Sequence, residues 1–135
     1  MDLKRADQAV QEIALRRNEL IELDYNDPKY DDLEEELHDL EDELLDEHGA
    51  YLEGILQEVH DKYCPDTDIL LPIAYLAKAY AINASNEFSV AASEGVYVEV
   101  DKMPGKETKL VMVPNPLRVV LNIGKEKQQT VWSAN

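Results

Sequence analysis

The part of the sequence with the densest concentration of chemical groups is an acidic segment from residue 31 to residue 47. Eleven of its 17 residues are Asp or Glu, and none is Lys or Arg. Such a segment is either a solvated helix face that keeps the chain soluble or a docking surface, because charge complementarity speeds association and selects partners. We predict docking of a basic protein surface, which salt would weaken by shortening the Debye length. The carboxylates predicted to contact this partner are Asp31, Asp32, Glu34, Glu35, Glu36, Asp39, Glu41, Asp42 and Glu43.

Two patterns in the same half of the chain contain metal-ligand residue types. Glu35 and His38 have the Glu-x-x-His spacing of di-iron carboxylate bundles, which require a second such motif and two further carboxylates. A turn near residue 27 carries several hard oxygen ligands, but it lacks the glycine and terminal glutamate of an EF-hand loop. We therefore predict no metal and no other cofactor. The weak candidates for a divalent ion are Asp24, Asp27, Asp31 and Asp32.

His60 and Cys64 lie four residues apart and could share a helix face. A thiolate is disfavoured at the negative C-terminal end of a helix, and the two residues would be only half of a zinc site, so we interpret both as structural. Walker, Gly-x-Gly-x-x-Gly, Gly-x-Ser-x-Gly, His-Glu-x-x-His and paired Cys-x-x-Cys motifs are absent. The sequence thus predicts no catalytic residues, with an enzyme whose site lies between a helical hairpin and a sheet as the alternative.

The composition restricts the partners further. The chain has 135 residues, with 13 basic and 29 acidic residues and a formal charge of −16. Nucleic acid and anionic lipid are disfavoured as partners, because binding either of them requires a surplus of Lys and Arg. The sequence has no apolar run of about 18 residues and no apolar signal at its start. A single cysteine favours a reducing compartment, so we expect a cytoplasmic protein.

The charge is distributed very unevenly between two parts of the chain. Residues 1–63 contain 21 acidic and six basic residues, whereas residues 64–135 contain eight and seven. We predict that residues 1–63 form an acidic helical hairpin and that residues 64–135 form a small body of one helix and an antiparallel sheet. Because no Gly/Ser linker separates them, we expect the two parts to pack as one compact unit.

The hairpin prediction depends on apolar residues that recur every three or four positions. One such seam predicts a first helix near 3–24, and the leucines from Leu33 onward predict a second helix from about residue 31. Pro28 interrupts the pattern, and the short connection around it implies antiparallel neighbours. Gly49 could end the second helix, but the apolar stripe continues beyond it, so we predict one continuous helix to Tyr63.

The body is predicted to hold a short helix and a sheet. The alanines after Pro72 favour helix within 69–83, with strand as the alternative. From Glu87 the apolar period becomes two, with turns at Gly105, Asn115 and Gly124, which predicts an antiparallel meander of four to five strands and an α+β fold. Two apolar runs, 110–113 and 119–121, predict that both sheet faces are covered. The predicted helix can cover one face; the other needs the hairpin base or a second copy, so a homodimer through the sheet is an open alternative.

An acidic-tipped antiparallel hairpin followed by a small β-rich body resembles, in outline, the Gre-type transcript-cleavage factors of bacterial RNA polymerase. The residues at the tip, Asp24 to Asp32, differ from the signature of that family. The resemblance implies a hairpin factor that acts on RNA polymerase, with Asp24, Asp27, Asp31 and Asp32 presenting a metal. From the residues themselves, we predict a non-catalytic protein-protein interaction module.

Overall fold

The computed structural model describes residues 3–134 and has an α+β architecture, as predicted. A hairpin of two long helices is followed by one turn of 3-10 helix, a two-stranded sheet and a four-stranded antiparallel sheet. The helices are α1, Leu3–Glu22, and α2, Tyr30–Tyr63, and the 3-10 turn is Pro72–Tyr75. The strands are β1, Ala81–Ile82; β2, Phe88–Ser89; β3, Val96–Tyr97; β4, Thr108–Val113; β5, Arg118–Ile123; and β6, Lys127–Ser133.

The two helices run antiparallel, as the ion pairs between them show: the start of α1 lies beside the middle of α2, and the end of α1 lies beside the start of α2. Arg5 lies 3.9 Å from Glu47, whereas Arg16 lies 2.8 Å from Glu36. α1 ends two residues before the predicted position. α2 continues through both of its glycines to Tyr63, which confirms the predicted continuous helix. Its 34 residues make it about 51 Å long.

The predicted helix within 69–83 is wrong beyond its first turn. After the 3-10 turn, Leu76 is extended and forms a parallel bridge to Met112, and Ala81–Ile82 pairs with Phe88–Ser89. Tertiary hydrogen bonds hold this extended path. The Tyr80 hydroxyl donates to the carbonyl of Met112 at 2.7 Å and accepts the backbone N–H of Ala77 at 2.9 Å. These buried bonds outweigh the helix preference of the alanines, which amounts to a few tenths of a kcal/mol per residue.

The four-stranded sheet is a simple meander in the order β3-β4-β5-β6, as predicted. Leu110 pairs with Leu121, and their face of the sheet packs against the hairpin in one shared core. Val111 pairs with Val120, and their face packs against the segment that contains Tyr80. The chain itself therefore covers both faces of the two central strands. Neither helix of the described residues is long and apolar enough to cross a bilayer.

Candidate functional site

The acidic segment lies on the N-terminal half of α2, where it separates into one buried seam and one exposed face. Leu37 and Leu44 form the seam and are 6% and 1% exposed, and His48, just after the segment, continues it at 7% exposure. On the opposite side, carboxylates recur at alternating spacings of three and four residues, which aligns them along one face of a helix. We call these five exposed residues the acidic face: Asp32, Glu35, Asp39, Asp42 and Asp46. The face extends about 21 Å along the helix axis.

Two of the nine predicted docking carboxylates are neutralised inside the hairpin. Glu36 accepts a 2.8 Å hydrogen bond from Arg16, and Glu41 accepts a 2.7 Å hydrogen bond from Arg17. The bond to Glu36 is the main cause of the raised pKa of Arg16. Both arginines belong to α1, so the body does not supply these cations. Among the described residues, no ion pair involves the other seven predicted carboxylates, which are Asp31, Asp32, Glu34, Glu35, Asp39, Asp42 and Glu43.

The end of the hairpin, residues 21–35, combines negative charge with exposed apolar side chains. We call these residues the tip; they include seven acidic residues and one lysine. Ile21 is 60% exposed and Tyr25 is 81% exposed, and the ring centroids of Tyr25 and Tyr30 lie 5.2 Å apart. Beside them is an open groove of about 330 Å³, which we call the tip groove, between α1 and α2. Its apolar lining is Leu20, Ile21, Tyr30 and Leu37.

The four tip aspartates considered as metal ligands do not converge. Asp27 instead accepts a 2.9 Å hydrogen bond from the backbone N–H of Lys29, which stabilises the turn. Within residues 3–134, no group of three or more His, Cys, Asp or Glu side chains is placed to hold a metal ion. The metal-presenting role implied by the resemblance to transcript-cleavage factors therefore gains no support from Asp24, Asp27, Asp31 and Asp32.

His60 and Cys64 are buried at the C-terminal end of α2, at 2% and 0% exposure. Because the carbonyl of Thr67 can only accept, Nδ1 of His60 donates to it at 2.9 Å, and Nε2 lies in hydrogen-bond contact with the Tyr75 hydroxyl at 2.9 Å. Burial, assisted by the charge of Asp101, raises the pKa of the Cys64 thiol to about 11. The thiol therefore stays protonated near neutral pH, in agreement with a structural role.

Three polar residues that sequence reasoning did not single out as functional join α1 to the body. The Asp7 carboxylate accepts the backbone N–H groups of Asn115 and Leu117, both at 2.9 Å. Asn18 exchanges two 2.9 Å hydrogen bonds with the backbone of Tyr80. Arg17 donates to the carbonyl of Ala77 at 3.0 Å. The sequence signal that could have identified Arg17 is its spacing: it follows Val10 and Ile13 at the three- and four-residue intervals of the apolar seam of the first helix.

A second arginine fastens the small sheet to the large one. Arg118 on β5 donates to the carbonyls of Pro114, Pro116 and Phe88, at 3.1, 3.0 and 2.6 Å. Desolvation by burial lowers the pKa of this guanidinium. Because backbone carbonyls occupy three of its N–H groups, we assign Arg118 a structural role.

The arrangement thus offers an exposed row of carboxylates, a tip with apolar side chains and an adjoining groove, on a hairpin that is bonded firmly to its body. No family model, curated protein or solved structure matches this chain.

Proposed function

We propose that this protein is a non-catalytic interaction module that docks a basic protein surface on the acidic face of α2. The single observation that carries the proposal is the alignment of five exposed carboxylates, none of which forms an ion pair with the described residues. Arg5, Arg16 and Arg17 form ion pairs with carboxylates that lie outside this face, which include Glu36, Glu41 and Glu47, so these pairs do not reduce its charge.

The energetic cost of the acidic face supports a role beyond solubility. Like charges at i and i+4 destabilise a helix by about 0.2–0.5 kcal/mol per pair. A solvated face could intersperse Lys with Glu and gain stability instead, yet residues 31–47 contain no Lys or Arg. A basic partner relieves this repulsion when it binds, so part of the helix's own destabilisation contributes to the affinity of the complex.

The test is affinity purification from native lysate with the full chain as bait. A variant of the acidic face neutralises its five residues through Asp32→Asn, Glu35→Gln, Asp39→Asn, Asp42→Asn and Asp46→Asn. A matched control changes the charge equally at exposed positions elsewhere: Glu53→Gln, Glu58→Gln, Asp61→Asn, Asp66→Asn and Asp68→Asn. We expect basic proteins to be retained by the wild type and the control, and lost with the variant of the acidic face.

Salt provides a second readout of the same proposal. Raising NaCl from about 0.1 M to about 1 M shortens the Debye length from ~10 Å to ~3 Å. Retained partners should therefore be released from the wild type over this range. Equal recovery of partners by the wild type and the acidic-face variant would refute docking on this face.

A further inference from the structure

The tip exposes apolar side chains that contribute little to the stability of the fold. Within residues 3–134, no hydrogen bond or ion pair joins the tip to the body, because the links from α1 are made by Asp7, Arg17 and Asn18. Ile21 and Tyr25 are also 60% and 81% exposed, so their burial contributes little to folding. Polar residues would serve equally well at these exposed positions, and an exposed apolar patch with a polar rim is typical of a protein-protein contact.

The tip groove, with a volume of about 330 Å³, is large enough to accept an apolar side chain. Leu37 is 6% exposed and forms part of its floor, and Tyr30 contributes an aromatic wall supported by the ring of Tyr25. The charged residues that line the groove are Arg17, Glu34, Glu41 and Lys78. Arg17 and Glu41 pair with each other, whereas Glu34 forms no ion pair with the described residues. Aromatic side chains in such positions are enriched among the residues that dominate binding energy.

We propose that the tip groove binds an apolar anchor, an aliphatic or aromatic side chain, of a basic protein segment whose lysines or arginines contact the surrounding carboxylates. Charge complementarity around the groove selects this occupant: the groove lining itself has two acidic and two basic residues, whereas the surrounding tip carries seven acidic residues and one lysine. The inference rests on the proposed function and deepens it by naming the partner's chemistry: basic residues next to an apolar one.

The two contacts contribute in different ways. Long-range attraction by the acidic face raises the association rate and depends on salt. Burial of an anchor in the tip groove slows dissociation and persists at high salt, because the hydrophobic effect does not depend on charge. The structure thus predicts that affinity has a salt-sensitive and a salt-resistant part, and that these parts depend on different residues.

The probes are two fluorescent peptides of about 14 residues, or four helical turns. Both are lysine-rich, and one carries Leu and Phe on a single helical face where the other carries Ser. Fluorescence anisotropy measures their affinity for the full-length protein at about 0.1 M and about 1 M NaCl. The groove variant combines Ile21→Ser with Tyr30→Ser, because both side chains line the groove. The matched control is Leu15→Ser, which alters a side chain of α1 that is 43% exposed and lies outside the groove.

We expect the anchored peptide to bind roughly tenfold or more tightly than the serine peptide, and to retain this advantage at high salt. The groove variant should lose the advantage, whereas Leu15→Ser should preserve it. Equal affinity of the two peptides, or an advantage that survives in the groove variant, would overturn the inference.

A failure of the proposed function gives a different result. If neutralising the acidic face leaves both peptides bound equally well at low salt, docking on the acidic face is wrong even where the groove effect remains. If neutralisation weakens both peptides but they never differ from each other, the groove inference is wrong and the proposed function stands. Absence of any binding would overturn both.

Discussion

Replacing Arg17 with methionine is expected to destabilise the attachment of the hairpin to the body. The guanidinium joins three partners: Glu41 on α2 at 2.7 Å, and the carbonyls of Ala77 and Leu76 at 3.0 and 3.3 Å. The side chains of Arg17 and Glu41 are only 19% and 15% exposed. Methionine retains the length and helix propensity of arginine, so the substitution removes mainly the charge and the hydrogen bonds.

The expected loss of unfolding free energy depends on how deeply the Arg17–Glu41 pair is buried. Hydrogen bonds to charged groups contribute about 1.5–3 kcal/mol, and breaking a fully buried ion pair costs about 3–5 kcal/mol. Because this pair retains some exposure, we expect Arg17→Met to lower the free energy of unfolding by about 2–3 kcal/mol. The neighbouring Arg16 provides a matched control. It is 28% exposed and its carboxylate partners are about half exposed, so Arg16→Met should cost about 0–1 kcal/mol.

The assay is equilibrium unfolding in urea, which is uncharged and does not screen the ion pairs as guanidinium chloride would. A double-mutant cycle with Glu41→Gln separates the coupling of the Arg17–Glu41 pair from the contribution of the two carbonyls. Equal losses for Arg16→Met and Arg17→Met, or a loss below about 0.5 kcal/mol for Arg17→Met, would refute the reasoning that burial determines the strength of these contacts.

Three further predictions use the same unfolding measurement. Asp39→Asn should stabilise the protein by a few tenths of a kcal/mol at low salt and have no effect at about 1 M NaCl, because it relieves like-charge repulsion; destabilisation at low salt would contradict this. As pH rises from 9 to 11, the free energy of unfolding should fall in the wild type and should fall less in Cys64→Ala. The reason is that the thiol of the unfolded chain loses its proton near the ordinary pKa of 9.0, whereas the thiol of the folded chain keeps its proton up to about pH 11. Identical pH profiles of the two proteins would exclude Cys64 as the cause. Gly54 lies on a helix with open space around it, so Gly54→Ala should stabilise the protein by about 0.5–1 kcal/mol. Gly95 has a φ of +117°, and a Cβ added there would lie 2.6 Å from the carbonyl oxygen of Leu110, so Gly95→Ala should destabilise the protein by more than about 1 kcal/mol. Equal effects of the two substitutions would contradict this geometry.

The hairpin and the meander were predictable because each repeats a simple period over many residues. Apolar positions three or four apart continue past Gly49, and this continuity correctly outweighed the cost of about 1 kcal/mol for a helical glycine. In the meander, alternation around Val98 and Leu121 marked the faces of the sheet. Local preference was sufficient in both regions because tertiary packing favours the same conformation.

The segment from Leu76 to Ile82 could not be predicted, because its conformation depends on distant partners. Tyr80 bonds to Met112, which is 32 residues away, and to Asn18, which is 62 residues away. No local pattern reports such bonds, and the alanines that surround Tyr80 favour a helix. Tertiary hydrogen bonds decided the conformation against this local preference.

The candidate site was only partly predictable. The spacing of Asp32, Glu35 and Asp39 places them on one face of any helix, so their alignment follows from the sequence. The internal pairing of Glu36 and Glu41 depends on the register between α1 and α2, which the periodicity of each helix leaves undetermined. The tip groove likewise arises only when both helices and the turn are placed together.

The uninterrupted course of α2 has a mechanical consequence. One hydrogen-bonded rod carries the tip at one end and, at the other, Leu52 and Leu56, which are fully buried in the core shared with the sheet. Between these ends, Glu41 of α2 is joined through Arg17 of α1 to the carbonyls of Leu76 and Ala77. A sideways force on the tip should therefore disturb the packing of α2 against the sheet. Binding of a partner at the tip should alter the amide-exchange protection of α2 around Leu52 and Leu56.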